Sequence, residues 1–157
     1  AYAQKEDLAL KHIDANTTTY AEAAMQIWNF AELGYQEYQS SALLQKTLKD
    51  AGFKISTGVA GMPTAFIAEY GSGKPIIGIL GEYDALPGLS QAIVPEEKPI
   101  EAGEPGHGCG HHLFGVGSAA AAIAVSEWLT KTKTTGTIRY YVFSDLATKF
   151  RNPLSME

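Results

Sequence analysis

The sequence holds one cysteine in 157 residues, so neither an intramolecular disulfide nor a four-cysteine zinc cluster can form within it. Basic residues are few: 12 lysines and arginines stand against 17 aspartates and glutamates, giving a net charge of -5. No basic face stands out, which argues against a nucleic-acid surface. The longest apolar runs, at 76–80 and 119–125, fall far short of the roughly 20 residues a membrane span requires. There are no internal repeats. With 45% hydrophobic and 18% charged residues, the composition is that of a globular domain with a single core.

Periodicity predicts helices at 5–30 and 37–51. Ala24, Ile27, Trp28 and Ala31 form the buried stripe of the first. Leu44, Leu48 and Ala51 share a face of the second, and Gly52 is its stop. Strands are predicted at 53–56, 64–70 and 75–80, the last apolar on both faces like the interior strand of a covered sheet. Gly71-Ser72-Gly73 reads as a hairpin turn joining the last two strands. A helix rich in small residues follows at 112–130, and then a strand at 135–142 with Ile138, Tyr140 and Val142 on one side and Arg139 and Tyr141 on the other. The expected fold class is α/β, a three-layer α/β/α sandwich on a mixed, mainly parallel sheet. Residues 1–142 make its one domain, and 143–157 form a divergent tail without a clear period.

Several local signals are weaker. Gly73-Lys74 lacks the upstream glycine of a phosphate loop, and Pro75 stands where Ser or Thr belongs. Asn16-Thr17-Thr18 fits a glycosylation pattern but falls inside the first predicted helix. Ala1-Tyr2-Ala3 matches the small-x-small end of an export signal without the basic start and apolar run, so an exported or periplasmic location is expected, with the cytoplasm as the alternative. The loop at 91–105, with Pro95, Glu96, Glu97, Pro99, Glu101 and Glu104, is long enough to be a binding rim.

Chemistry concentrates in His107-Gly108-Cys109-Gly110-His111-His112, which holds three of the four histidines and the sole cysteine. Thiolate and imidazole are preferred ligands of zinc and related divalent ions. A loop opened by Gly108 and Gly110 lets Cys109 and His111 converge on one ion, at the positive end of the following helix. Two other readings stay open. One is a buried cysteine beside surface histidines; the other makes Cys109 a nucleophile activated by a histidine. A second feature, Gly81-Glu82-Tyr83-Asp84-Ala85-Leu86-Pro87, follows an apolar strand, the place where open α/β sheets put their sites. There Glu82 and Asp84 share a face if the strand continues, and Asp84 can orient a metal-bound histidine; two solvated acids at a strand end are the equal alternative.

Trp28-Asn29-Phe30-Ala31-Glu32-Leu33-Gly34-Tyr35-Gln36-Glu37, then residues 81–87, then 106–115 resemble the amidohydrolase branch of the metal-dependent aminoacylase/carboxypeptidase family. The resemblance runs over about 20–141. It implies part of a two-metal catalytic domain without the lid domain, binding zinc or manganese and cleaving small N-acylated amino acids such as p-aminobenzoyl-glutamate. It carries metal ligation to Cys109 and His111 and a supporting role to Asp84. Glu82, His107 and His112 are further candidates: relatives carry another acid or a histidine at the position of Glu82, and commonly an aspartate at that of His112. In the family a glutamate of a Glu-Glu pair after the last strand serves as general base. Here Val142-Phe143-Ser144-Asp145-Leu146-Ala147-Thr148 has none. The expectation is therefore a chain that binds metal weakly and is inactive alone, with a non-catalytic metal-binding or interaction module as the alternative. No membrane or nucleic-acid partner is expected, and an unpaired sheet edge would favour a homo-oligomer.

Overall fold

A computed structural model of the chain describes residues 2–143, with side chains from residue 8 onward. Helices α1 (Tyr2–Ala15), α2 (Thr17–Phe30) and α3 (Tyr38–Asp50) lead into strands β1 (Lys54–Thr57), β2 (Phe66–Ser72) and β3 (Ile76–Gly81), followed by α4 (His111–Thr132) and β4 (Gly136–Val142). The divergent tail expected at 143–157 lies outside the described residues apart from Phe143.

The first predicted helix is two helices. Asn16, at φ -114° and ψ 10°, separates them. Its Nδ2 donates to the carbonyl of His12 at 2.8 Å, and the Thr17 hydroxyl donates to that of Ile13 at 3.0 Å. Asparagine and threonine side chains compete in this way with the helical ladder. His12 then ties the elements together, bonding Glu127 of α4 and, at 2.7 Å, the Tyr20 hydroxyl of α2.

The four strands form one mixed sheet in the order β1-β2-β4-β3. β1 and β2 pair antiparallel, as do β2 and β4; only β3 and β4 run parallel. The mixed sheet stands, but two expectations change. Among the described strands the sheet is mainly antiparallel. Gly71-Ser72-Gly73 does not close a hairpin either, because β4 inserts between β2 and β3, placing Tyr70 opposite Ile138 and Ile77 beside the same residue.

Alternation decides the core. Phe66, Ala68, Ile138, Tyr140 and Val142 bury one sheet face against Ala24 and Ile27 of α2, Leu44 and Leu48 of α3, and Ala119, Ala122 and Ile123 of α4. The other face carries Ile67, Glu69, Arg139 and Tyr141, half-buried, with Arg139 bonded to Glu69. Helices thus flank one face; the second helical layer of the expected sandwich is not among the described residues. Among the described strands β3 lies at the edge of the sheet, where the sequence pattern predicts an interior strand, with Ile76, Ile77 and Leu80 half-exposed. The parallel β3–α4–β4 crossover is the part that matters for chemistry. It brings the carboxyl end of β3 beside the N-terminus of α4.

Candidate metal centre

β3 ends at Gly81, and Glu82, Tyr83 and Asp84 follow directly. The segment is pinned on both sides. The amide of Ala85 donates to the carbonyl of Glu32 at 2.7 Å, while Leu86 and Gly106 exchange amide–carbonyl bonds of 2.9 and 3.0 Å. The Glu32 carboxylate meanwhile accepts from the amides of Gln39 and Ser40, each at 2.9 Å, satisfying orphan donors at the start of α3. The motif around Glu32 and the glycine-rich stretch are thus the two walls that hold residues 82–86.

α4 starts at His111 because Gly110 takes a left-handed conformation, φ +87°, as the residue before the helix. Gly115, one turn in, lets the helix approach: a Cβ there would lie 2.4 Å from the carbonyl oxygen of Glu82. His111 consequently faces the strand end. Its Nδ1 is 2.8 Å from Asp84 Oδ1 and its Nε2 is 3.1 Å from Glu82 Oε2. The Asp84 side chain is wholly buried, while that of Glu82 keeps 23% of its surface exposed.

One ligand atom from each of Glu82, Asp84 and His111 lies within 4.8 Å of the others, close enough to hold one ion. Carboxylate oxygen with imidazole nitrogen is a donor set that zinc and manganese accept. With Nδ1–H donating to Asp84, the imidazole presents the Nε2 lone pair towards Glu82.

The structure separates the other candidates from this group. Cys109 is exposed and is not one of the three residues whose ligand atoms lie within 4.8 Å of one another. His107 and His112 lie elsewhere too, buried against Trp28: the two imidazoles are 4.7 Å apart, and Trp28 meets His112 edge-on at 5.1 Å. His107 Nε2 donates to the carbonyl of Ile27 at 3.0 Å. Burial, with His112 adding to it, pushes His107 down to about 4; burial and the neighbouring His111 lower His112 as well. Two neutral imidazoles thereby pack as core groups. Sequence reasoning missed Tyr83, whose place between two acids that share one side of an extended segment was the available signal.

Beside this wall, a cavity of about 250 Å³ opens between Trp28 and Phe30 at the end of α2 and Ile100, Glu101 and Glu104 of the long loop.

No model of a known protein family matches the chain. It is 46% identical over 130 residues to one of the subunits of the p-aminobenzoyl-glutamate hydrolase of Escherichia coli, a match that covers 82% of this chain and 27% of that protein. It is 30% identical over 126 residues to the human Xaa-Arg dipeptidase, covering 72% of this chain and 25% of the relative. Among solved structures, the YxeP protein of Bacillus subtilis, described as a dinuclear metal-binding peptidase of the M20 family, superposes with a TM-score of 0.61 at 25% identity. The match covers 82% of this chain and 35% of YxeP. The chain thus spans about a quarter of the length of the two sequence relatives.

Proposed function

The chain belongs to the M20 family of metal-dependent peptidases and amidohydrolases, and from that premise we propose that it carries part of a divalent-metal centre cleaving the amide bond of small N-acylated amino acids, p-aminobenzoyl-glutamate among them. The observation that supports this reading is the convergence of Glu82 and Asp84 on opposite nitrogens of His111, at the end of a strand and the start of a helix. The likeness to the Escherichia coli hydrolase supports the substrate class.

His111 would bind the cation through Nε2, with Glu82 beside it as the carboxylate ligand. Asp84 holds the His111 ring by accepting from Nδ1–H, which fixes the tautomer and raises the basicity of the opposite nitrogen. Cys109 is the further donor we assign to the loaded centre. It is exposed, two residues from His111, and flanked by Gly108 and Gly110, which leave its backbone free to turn. Zinc and manganese both suit the set, and two ions are expected of the whole catalytic site. A bound cation supplies Lewis-acid activation of a water and polarisation of the amide carbonyl. Proton transfer needs a separate general base, and residues 143–148, past β4, contain no glutamate. We therefore propose that these 157 residues hold a cation without turning substrate over.

Equilibrium dialysis against zinc and against manganese tests the centre. One ion per chain that disappears in His111→Ala supports it, and uptake unchanged by that substitution contradicts it. An assay of the same chain with p-aminobenzoyl-glutamate tests the rest, where substantial turnover would refute the proposed inactivity.

A further inference from the structure

Tyr83 stands between the two acids of the centre in sequence and faces away from both. It is fully buried, and its hydroxyl donates to the carbonyl of Thr64 at 2.5 Å. That carbonyl also accepts from the Ser41 hydroxyl at 2.7 Å, and the Thr64 hydroxyl donates to Glu37 Oε2 at 2.6 Å. Thr64, Ser41 and Glu37 are themselves almost completely buried. The phenol therefore reaches a fixed point, a carbonyl immobilised between the first turns of α3 and the entry to β2. Burial pushes the Tyr83 hydroxyl above its ordinary range, so it remains a donor.

Successive side chains of an extended segment point to opposite sides, so the direction of one fixes its neighbours. Rolling the chain about its axis at Tyr83 would swing the carboxylates of Glu82 and Asp84 together, away from His111. A cation tolerates little such roll, since productive sites need their ligands held within about 0.5 Å. The backbone bonds at Ala85 and Leu86 fix the far end of the segment; the bond to Thr64 is the side-chain tie at its middle.

We infer that Tyr83 is a positioning residue for the cation centre, its hydroxyl setting the roll that aims Glu82 and Asp84 at His111. The inference rests on reading Glu82, Asp84 and His111 as that centre. Tyr83→Phe keeps the ring that fills the core and removes only the tie. Ser126→Ala is its comparison, removing another buried hydrogen bond, from the Ser126 hydroxyl to the carbonyl of Ile123 at 2.8 Å, about four turns along α4 from His111.

Zinc titration in competition with a chromophoric chelator reads both variants against the wild type. Tyr83→Phe is expected to bind zinc about 10-fold more weakly, the lower end of the usual effect of losing a group that orients ligands. Ser126→Ala should stay within about twofold, although both lose a buried hydrogen bond of similar worth. Wild-type affinity in Tyr83→Phe, or a parallel fall in both variants, overturns the positioning role while leaving the centre intact. A wild-type chain that takes up no zinc overturns the centre itself and this inference with it.

Discussion

His111 and Asp84 are joined by a bond of 2.8 Å from Nδ1 to Oδ1, made where the Asp84 side chain has no contact with solvent. A charge-assisted bond in such surroundings is worth more than one in water, and it fixes which imidazole nitrogen faces Glu82. Asp84→Asn keeps the shape and removes the charge. Zinc affinity measured by calorimetry is expected to drop about 10- to 100-fold, as for other partners of metal-binding histidines. A change of less than twofold would separate Asp84 from the centre.

Two glycines of α4 should respond oppositely to the same substitution. A Cβ at Gly115 would stand 2.4 Å from the carbonyl oxygen of Glu82, whereas one at Gly117 meets nothing within 4 Å. Gly115→Ala is expected to destabilise by about 1–3 kcal/mol, as overpacking does. Gly117→Ala, on an exposed position in a helix interior, should stabilise by up to about 1 kcal/mol. Urea unfolding of the two variants checks the pair, and equal shifts in one direction would contradict the close approach of α4 to the strand end.

Acid should weaken the fold through the imidazoles packed on Trp28. Burial lowers His107 from its ordinary 6.5 to about 4, so between those values the unfolded chain binds the proton and the folded chain resists it. Stability is then fully present above pH 6.5 and lost as pH falls towards 4, by an amount on the order of 2–3 kcal/mol from His107. His112, lowered in the same direction, adds to the loss. Unfolding titrations in a chelator at about pH 7, 5.5 and 4.5 measure the slope, and His107→Gln should flatten much of it. A slope unaltered by that substitution would refute the assignment.

Cys109 offers a chemical reading of the loaded centre. Its thiol is exposed without metal, so iodoacetamide should alkylate it readily in the chelated chain. If it is the further donor, a stoichiometric amount of zinc should slow alkylation about tenfold or more, because a coordinated thiolate is withheld from the reagent. Equal rates with zinc and with chelator would remove Cys109 from the set.

What the sequence made legible was local. Ala24 and Ile27 of the α2 stripe, the stop at Gly52, the faces of β4 and the acids after an apolar strand all follow from short-range patterns, and the structure has them. Of the same stripe, Trp28 is half-buried and Ala31 already lies past the end of α2 in a left-handed turn. The strand order was not legible, because Gly71-Ser72-Gly73 carries every local mark of a hairpin while the strand that displaces it lies about sixty residues downstream. The single helix expected over 5–30 failed at Asn16, where a side chain competes for one carbonyl. At the site, spacing alone could not show that Gly110 would adopt a left-handed turn and that His111, first residue of the helix, would meet both Glu82 and Asp84. His107 and His112 carried the residue types of ligands, but their burial against Trp28 is a tertiary fact.

Anomalous diffraction at the zinc edge, from crystals of the wild-type chain grown with one equivalent of zinc, would locate the cation outright. One strong peak is expected about 2.0–2.2 Å from His111 Nε2 and from a Glu82 carboxylate oxygen, with Asp84 still bonded to Nδ1. A peak elsewhere, with His111 unligated, would contradict that centre.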